Sequence, residues 1–393
     1  MNSVECYIQE EHKGELQYWL SGDYESFCNK KKEIYMKAKK SKFGKEKQEH
    51  ICGMYHNELK YSGDLELAFL IEKEEKKVRN VRKQLSKQEY SEQLLNLIHL
   101  RNQYAKTAGF ENYLDYKYDL WGIEYDILNK VAVKQQVMKK NDITCLEERF
   151  IKILRNALFD VKNQTFLLKQ VDECWNLNLR DIHIHDKNLP GFYIGACVPI
   201  SIPDDIHVLI NKQPGLSGFS VFMHEIGHAY YYKNMISEDS YGKKIPFNLI
   251  IEETVALLFE NQVFSEKFIA RFLDIEMDMW SWKANMQLNY LLCCTKFEES
   301  IYKKSVIDFD KEWENACVFM GKHEKEGWIK PHFFVSNPGY FAAYYIAAFL
   351  AREIYLQIDR EGQDLICFIK NDICSIGTKI QYNKLLDKIL LVN

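Results

Sequence analysis

Proline and glycine are scarce in this chain, at 7 and 18 of 393 residues. So few turn formers weigh against a turn-rich β fold and favour long helices. Long apolar runs are missing as well. No stretch approaches the roughly 18 consecutive apolar residues that span a bilayer. The acidic opening segment, Met1 to Glu10, lacks the apolar centre of a secretion signal. Charge is nearly balanced, with 52 basic and 56 acidic residues and a net charge of −4, which argues against nucleic acid or an anionic membrane surface as partner. The eleven cysteines include no Cys-x-x-Cys pair, and the adjacent Cys293 and Cys294 cannot easily bridge each other. An odd, scattered set of this kind reads as reduced thiols of a cytoplasmic protein, without a cysteine metal site. What is abundant is apolar and aromatic: 47% of the residues are hydrophobic, with 24 Tyr and 23 Phe, enough for a large core.

Against that background one stretch stands out, Val221-Phe-Met-His-Glu-Ile-Gly-His-Ala229. It contains His224-Glu225-Ile226-Gly227-His228, a His-Glu-x-x-His pattern. On a helix the two histidines lie one turn apart and point the same way, so they can hold one Zn²⁺. Glu225 then stands beside the ion, able to take a proton from a zinc-bound water. The apolar flanks predict a buried helix.

Such a zinc site needs a third protein ligand. The apolar segment Ile250 to Asn261 predicts a second helix after a loop from Asn234 to Pro246. Glu252 and Glu253 both lie on it, about 100° apart around the axis. Glu253 is preferred, because Glu260 falls seven residues on and shares its face. Glu260 is then placed to steady a ligand histidine from behind.

The rest reads in chain order. Residues 1 to 90 carry charged runs at helical spacing, the pattern of solvated helix faces, with a connection at Ser41 to Lys45. Gly109 reads as a helix end and Asn112 as the next helix start. Residues 182 to 211 turn β-rich, predicting a small sheet just before the zinc helix. His183, His185 and His207 lie in that sheet and read as structural or exposed rather than as ligands. An edge strand there can pair with an extended peptide through main-chain hydrogen bonds; Tyr193, Gly195, Ala196 and Cys197 are the candidates. Met277, Met279, Trp280, Trp282 and Met286 read as core. Asn337-Pro338-Gly339 predicts a turn into a helix on which Tyr340 and Tyr344 share a face. With His332, these tyrosines are suitable donors for the oxyanion of peptide hydrolysis.

Together, Leu100-Arg-Asn-Gln-Tyr-Ala105 with Gly109-Phe-Glu-Asn-Tyr-Leu114, the His224–Ala229 motif, Glu253 to Glu260, and Pro331-His-Phe with Gly339-Tyr-Phe-Ala-Ala-Tyr-Tyr345 resemble the oligoendopeptidase F and thimet oligopeptidase family of gluzincin zinc metallopeptidases. Parts are also similar to Taq-type carboxypeptidase and to angiotensin-converting enzyme. The resemblance implies a mainly α fold, a helical ellipsoid with a deep substrate channel, in one peptidase domain over 1–393. Residues 1–180 would form a helical half with a reduced lid and 181–393 the zinc-binding catalytic half. It implies one Zn²⁺ on His224, His228 and Glu253, Glu225 as general base and acid, and Tyr344, His332 and Tyr340 as oxyanion donors. Substrates would be short or unfolded peptides. The chain departs from the pattern at Ala347, where thimet-type sequences carry a second tyrosine, so that this donor is either missing or supplied by Tyr345 or Tyr340, and at Leu257, where some gluzincins carry an acid. Two other functions fit the same motifs: a maturation peptidase dedicated to one precursor, and a catalytically silent zinc-containing peptide-binding protein.

Overall fold

The computed structural model describes residues 4–39, 64–138, 148–190, 193–235, 248–318, 326–379 and 382–391. The connection expected at Ser41 to Lys45 lies outside them, as does most of the loop between Asn234 and Pro246. In chain order the helices are α1 (Val4–Ser21), α2 (Tyr24–Lys39), α3 (Leu65–Val81), α4 (Lys87–Thr107), α5 (Tyr113–Trp121), α6 (Tyr125–Met138), α7 (Glu148–Leu154) and α8 (Val161–Trp175). Three strands follow, β1 (Ile182–Asp186), β2 (Gly195–Ser201) and β3 (Asp205–Ile210). Then come α9 (Leu216–Asn234), α10 (Leu249–Gln262), α11 (Glu266–Leu273), α12 (Trp280–Lys303), α13 (Phe309–Cys317), α14 (Phe333–Ser336), α15 (Tyr340–Glu361), α16 (Leu365–Phe368) and α17 (Tyr382–Leu391). The fold is mainly α with one small sheet, as the composition implies.

Local chemistry sets the boundaries. Ser86 and Glu89 form a reciprocal capping box at the start of α4. The Asn112 side chain accepts from the Leu114 and Asp115 N–H groups and so starts α5, while Gly109, at φ +90°, turns the chain out of α4. Both were expected from the sequence.

The described chain groups into two compact units, each drawing on segments from either side of residue 180. The first comprises 1–41, 139–285 and 347–393. It holds the sheet, in the order β1-β3-β2, with β1 parallel and β2 antiparallel to β3. One face of the sheet packs Val198, Ile200 and Leu209 against Tyr18 and Trp19 of α1 and Phe27 of α2. The other face lies on α9. Behind α9 packs α10, whose residues from Ile250 to Asn261 are all buried. A helix buried all round must find a partner for every polar side chain it carries.

The second unit comprises 42–138 and 286–346. Its core stacks Trp328 between Tyr90, at 5.5 Å between ring centroids, and Phe309, at 4.9 Å. Of the residues read as core from 277 to 286, Met279 and Trp280, which belong to the first unit, are fully buried. Met286 is not: it is 48% exposed, on the outward side of α12. A methionine supplies no fixed polarity to say which side of a helix it takes.

Candidate active site

The site is built on α9 and α10 in the first unit. Gly215, at φ +85°, starts α9, and every residue from Phe219 to Tyr232 except Val221 is buried. His224 and His228 stand one turn apart with their Nε2 atoms 3.2 Å from each other. From α10, Glu253 Oε2 lies 3.4 Å from His224 Nε2 and 3.7 Å from His228 Nε2. Two ligands bound at about 2.0–2.2 Å in a tetrahedron are roughly 3.3–3.6 Å apart. The three atoms therefore already span one face of a zinc-sized tetrahedron.

The two helices approach this closely because of Gly227. A Cβ at that position would lie 2.7 Å from Ala256 Cα on α10. The glycine inside the motif is a contact point, and it brings Glu253 within reach of the histidines.

Glu252 is turned elsewhere. Its Oε2 accepts from the Tyr232 hydroxyl at 3.0 Å, and burial pushes its carboxyl up to about 8. Of the two neighbouring acids, only Glu253 joins the histidines.

Glu260 reaches His224 from its other side. Its Oε2 lies 3.1 Å from His224 Nδ1, and its Oε1 accepts from Lys283 Nζ at 2.7 Å. Burial alone would raise Glu260, but Lys283 and His224 outweigh it and hold the carboxyl down at about 2. With Glu260 accepting at Nδ1, the lone pair of His224 Nε2 faces Glu253 and His228. Burial would likewise depress His224. Glu253 and Glu260 reverse that and push it up to about 10, whereas burial drives His228 down to about 4. The protein groups alone thus favour a positive charge at this point, which suits a cation.

Glu225 is buried at the same place, and burial raises its carboxyl to about 7. The edge strand β2 rests on it: a Cβ at Gly195 would lie 2.5 Å from Glu225 Oε1. Cys197, two residues on, has its thiol pushed well above the ordinary range by burial and by the nearby Glu225 and Glu252. The other two candidates of this strand face the opposite cluster. Tyr193 packs edge-on against Trp19 at 4.8 Å, and Ala196 packs among the same residues.

The three donor candidates belong to the second unit and form one aromatic run there. His332 lies against Phe333 at 4.1 Å between ring centroids, Phe333 against Tyr340 at 4.9 Å, and Tyr340 against Tyr344 at 5.5 Å. Burial, with Arg82 and Arg79, pulls His332 down to about 4. Tyr345 has a different role from the one considered for it. It is fully buried and donates its hydroxyl to Gln135 Oε1 at 2.5 Å, which makes it a packing residue.

No family pattern matches the sequence, and no curated protein is similar to it in sequence. Solved structures are. A carboxypeptidase of Pyrococcus furiosus superposes with a TM-score of 0.70 at 13% identity, over 98% of this chain and 94% of that one. PZ peptidase A, solved with an inhibitor, gives 0.64 at 13% identity, over 96% and 85%. A putative oligoendopeptidase F gives 0.57 at 15% identity, over 77% and 62%. The chain has the fold of these peptidases. Identities this low speak for the fold alone.

Sequence reasoning missed two basic residues with structural roles. Lys283 holds Glu260. Arg101, fully buried, donates to the Tyr302 hydroxyl and the Phe334 carbonyl at 2.9 Å each, to Glu75 at 2.6 Å and to the Val335 carbonyl. It thereby fastens α14, whose first residue follows His332. A signal was present: Leu94, Leu97, Ile98, Arg101 and Ala105 share one buried stripe of α4, and a cation there has to be paired.

Proposed function

We propose that the chain is a zinc metallopeptidase that hydrolyses short or unfolded peptides. The observation that carries this reading is the convergence of His224, His228 and Glu253 within tetrahedral distances, with Glu225 buried beside them. A zinc ion held there would supply Lewis acidity toward a peptide carbonyl and toward water. The remaining chemistry falls to the side chains. Glu225 takes the proton of the attacking water and returns it to the departing amine; burial raises its carboxyl above the ordinary value, which favours both steps. Glu260 and Lys283 keep His224 in the ligating tautomer. An extended peptide laid along β2 at Gly195 to Cys197 would present its backbone beside Glu225 without its sequence being read. His332, Tyr340 and Tyr344 are the proposed oxyanion donors. The odd, scattered set of cysteines in the sequence favours a reducing compartment.

The test is a mass-spectrometric digest of a mixed short-peptide library by the native chain and by Glu225→Gln. The variant should keep its metal and lose about a thousand-fold in turnover. Cut positions would separate internal cleavage from C-terminal trimming. Equal cleavage by both proteins would remove Glu225 from the chemistry. No cleavage by either would sink the general peptidase and leave a dedicated maturation enzyme or a binding protein.

A further inference from the structure

We infer that His183, His207 and Asp205 form a second divalent transition-metal site on the outer part of the sheet, with His185 orienting His207. The sequence showed three separate histidines. The parallel register of β1 on β3 makes them a cluster, because it sets His183 opposite His207 and leaves His185 two residues along the same face of β1. The rings of His183 and His185 both stack on His207, at 4.7 and 5.1 Å between centroids. Asp205, at the start of β3, completes the group. Its Oδ1 lies 2.9 Å from His207 Nε2 and 3.9 Å from His183 Nε2.

One nitrogen from each of His183 and His207 and one Asp205 oxygen lie within 4.8 Å of one another. Ligands of one tetrahedral ion are about 3.3–3.6 Å apart, so closure asks for an inward shift of His183. His183 can make it, since its side chain is 59% exposed. His185 Nε2 lies 2.8 Å from His207 Nδ1. When His207 Nδ1–H donates to His185, the Nε2 lone pair of His207 turns toward Asp205 and the ion.

Two imidazoles and one carboxylate suit Zn²⁺, Ni²⁺ or Cu²⁺ rather than Mg²⁺ or Ca²⁺. Three protein ligands on a solvent-facing edge leave positions for water, so this site binds more weakly than the buried one. It is also separate from it. His207 pairs with Val198, whose side chain packs toward α1, while Gly195 lies on Glu225 at the other face of the sheet. A metal here ties the edge strand β1 to β3.

The experiment is calorimetric titration of the full chain with Zn²⁺, paired with elemental analysis after desalting. The native chain should take up two equivalents, one tight and one weaker. His183→Ala and Asp205→Asn should each lose the weaker equivalent and keep the tight one, with unchanged circular dichroism. His185→Ala should weaken it about tenfold. A His224→Ala/His228→Ala chain should keep the weaker equivalent alone, which separates this site from the proposed active site. Uptake of a single equivalent by the native chain overturns the inference. So does a second equivalent that survives in both His183→Ala and Asp205→Asn.

Discussion

The buried cluster around His224 shows how a single proton position would decide the metal affinity of the proposed site. His224 ligates through Nε2 only if Nδ1 carries the hydrogen, and Glu260 accepts at Nδ1. Lys283 keeps Glu260 ionised. Glu260→Gln preserves shape but removes the charge, and Lys283→Met leaves that charge uncompensated in the interior. Each should weaken zinc binding by about 10- to 100-fold, measured by competition with a chromogenic chelator. Unchanged affinity in both would reduce the Glu260–Lys283 pair to packing. At this scale the sequence was legible where the chemistry is local. His224, Glu225 and His228 lie within five residues, and Glu253 and Glu260 lie on one face of one helix. Lys283 was not legible, because it reaches Glu260 from a different helix and nothing in its neighbours marks the contact.

Elements are positioned here largely by what is absent from them. An alanine in place of a helical glycine ordinarily gains about 1 kcal/mol of helix propensity. At Gly227 the added methyl would meet the backbone of α10 at 2.7 Å, and the overpacking cost of about 1–3 kcal/mol outweighs that gain. Gly227→Ala should therefore lower the melting temperature by several degrees and weaken zinc binding, as α10 is pushed off and Glu253 withdraws. A more stable variant with intact metal affinity would show that the helices have slack. In the second unit Arg101 plays the corresponding part by addition. Arg101→Met would leave Glu75 and the Phe334 and Val335 carbonyls without their donor, and should cost about 3 kcal/mol in urea unfolding. A loss under 1 kcal/mol would mean that these groups find water instead. The sheet, the Gly109 and Asn112 helix ends and the turn before Tyr340 were all readable from local composition. The pairing of β1 with β3 was not: a parallel register is set by distant packing, and local alternation carries no trace of it.

Across the whole molecule, several carboxyls are buried without a full counter-charge. Glu11 in the first unit and Glu298 in the second are each pushed by burial from an ordinary value of 4.5 up to about 8. Glu298 accepts from the Gly339 N–H and so fixes the turn into α15. A folded value above the unfolded one means that the folded chain holds protons the unfolded chain has released. The stability these groups contribute is complete below about 4.5 and is lost as pH rises toward 8, by up to about 1.4 kcal/mol per unit and group. Urea midpoints should fall from pH 5.5 to pH 8.5, and Glu298→Gln, which imitates the protonated acid, should flatten that fall. An identical slope in the variant would show that Glu298 does not titrate in this range.

The interleaving of the two units bears on how the protein is made. The first unit takes residues from the start, the middle and the end of the chain, and the second fills both gaps. A ribosome that has released residue 285 has delivered every side chain of the candidate metal cluster, yet the first unit still lacks everything from 347 onward. Domains generally close as units, so the candidate metal site is completed only once the residues from 347 onward have been made. A nascent chain stalled before residue 347 would carry all the ligands and have no finished pocket to put them in.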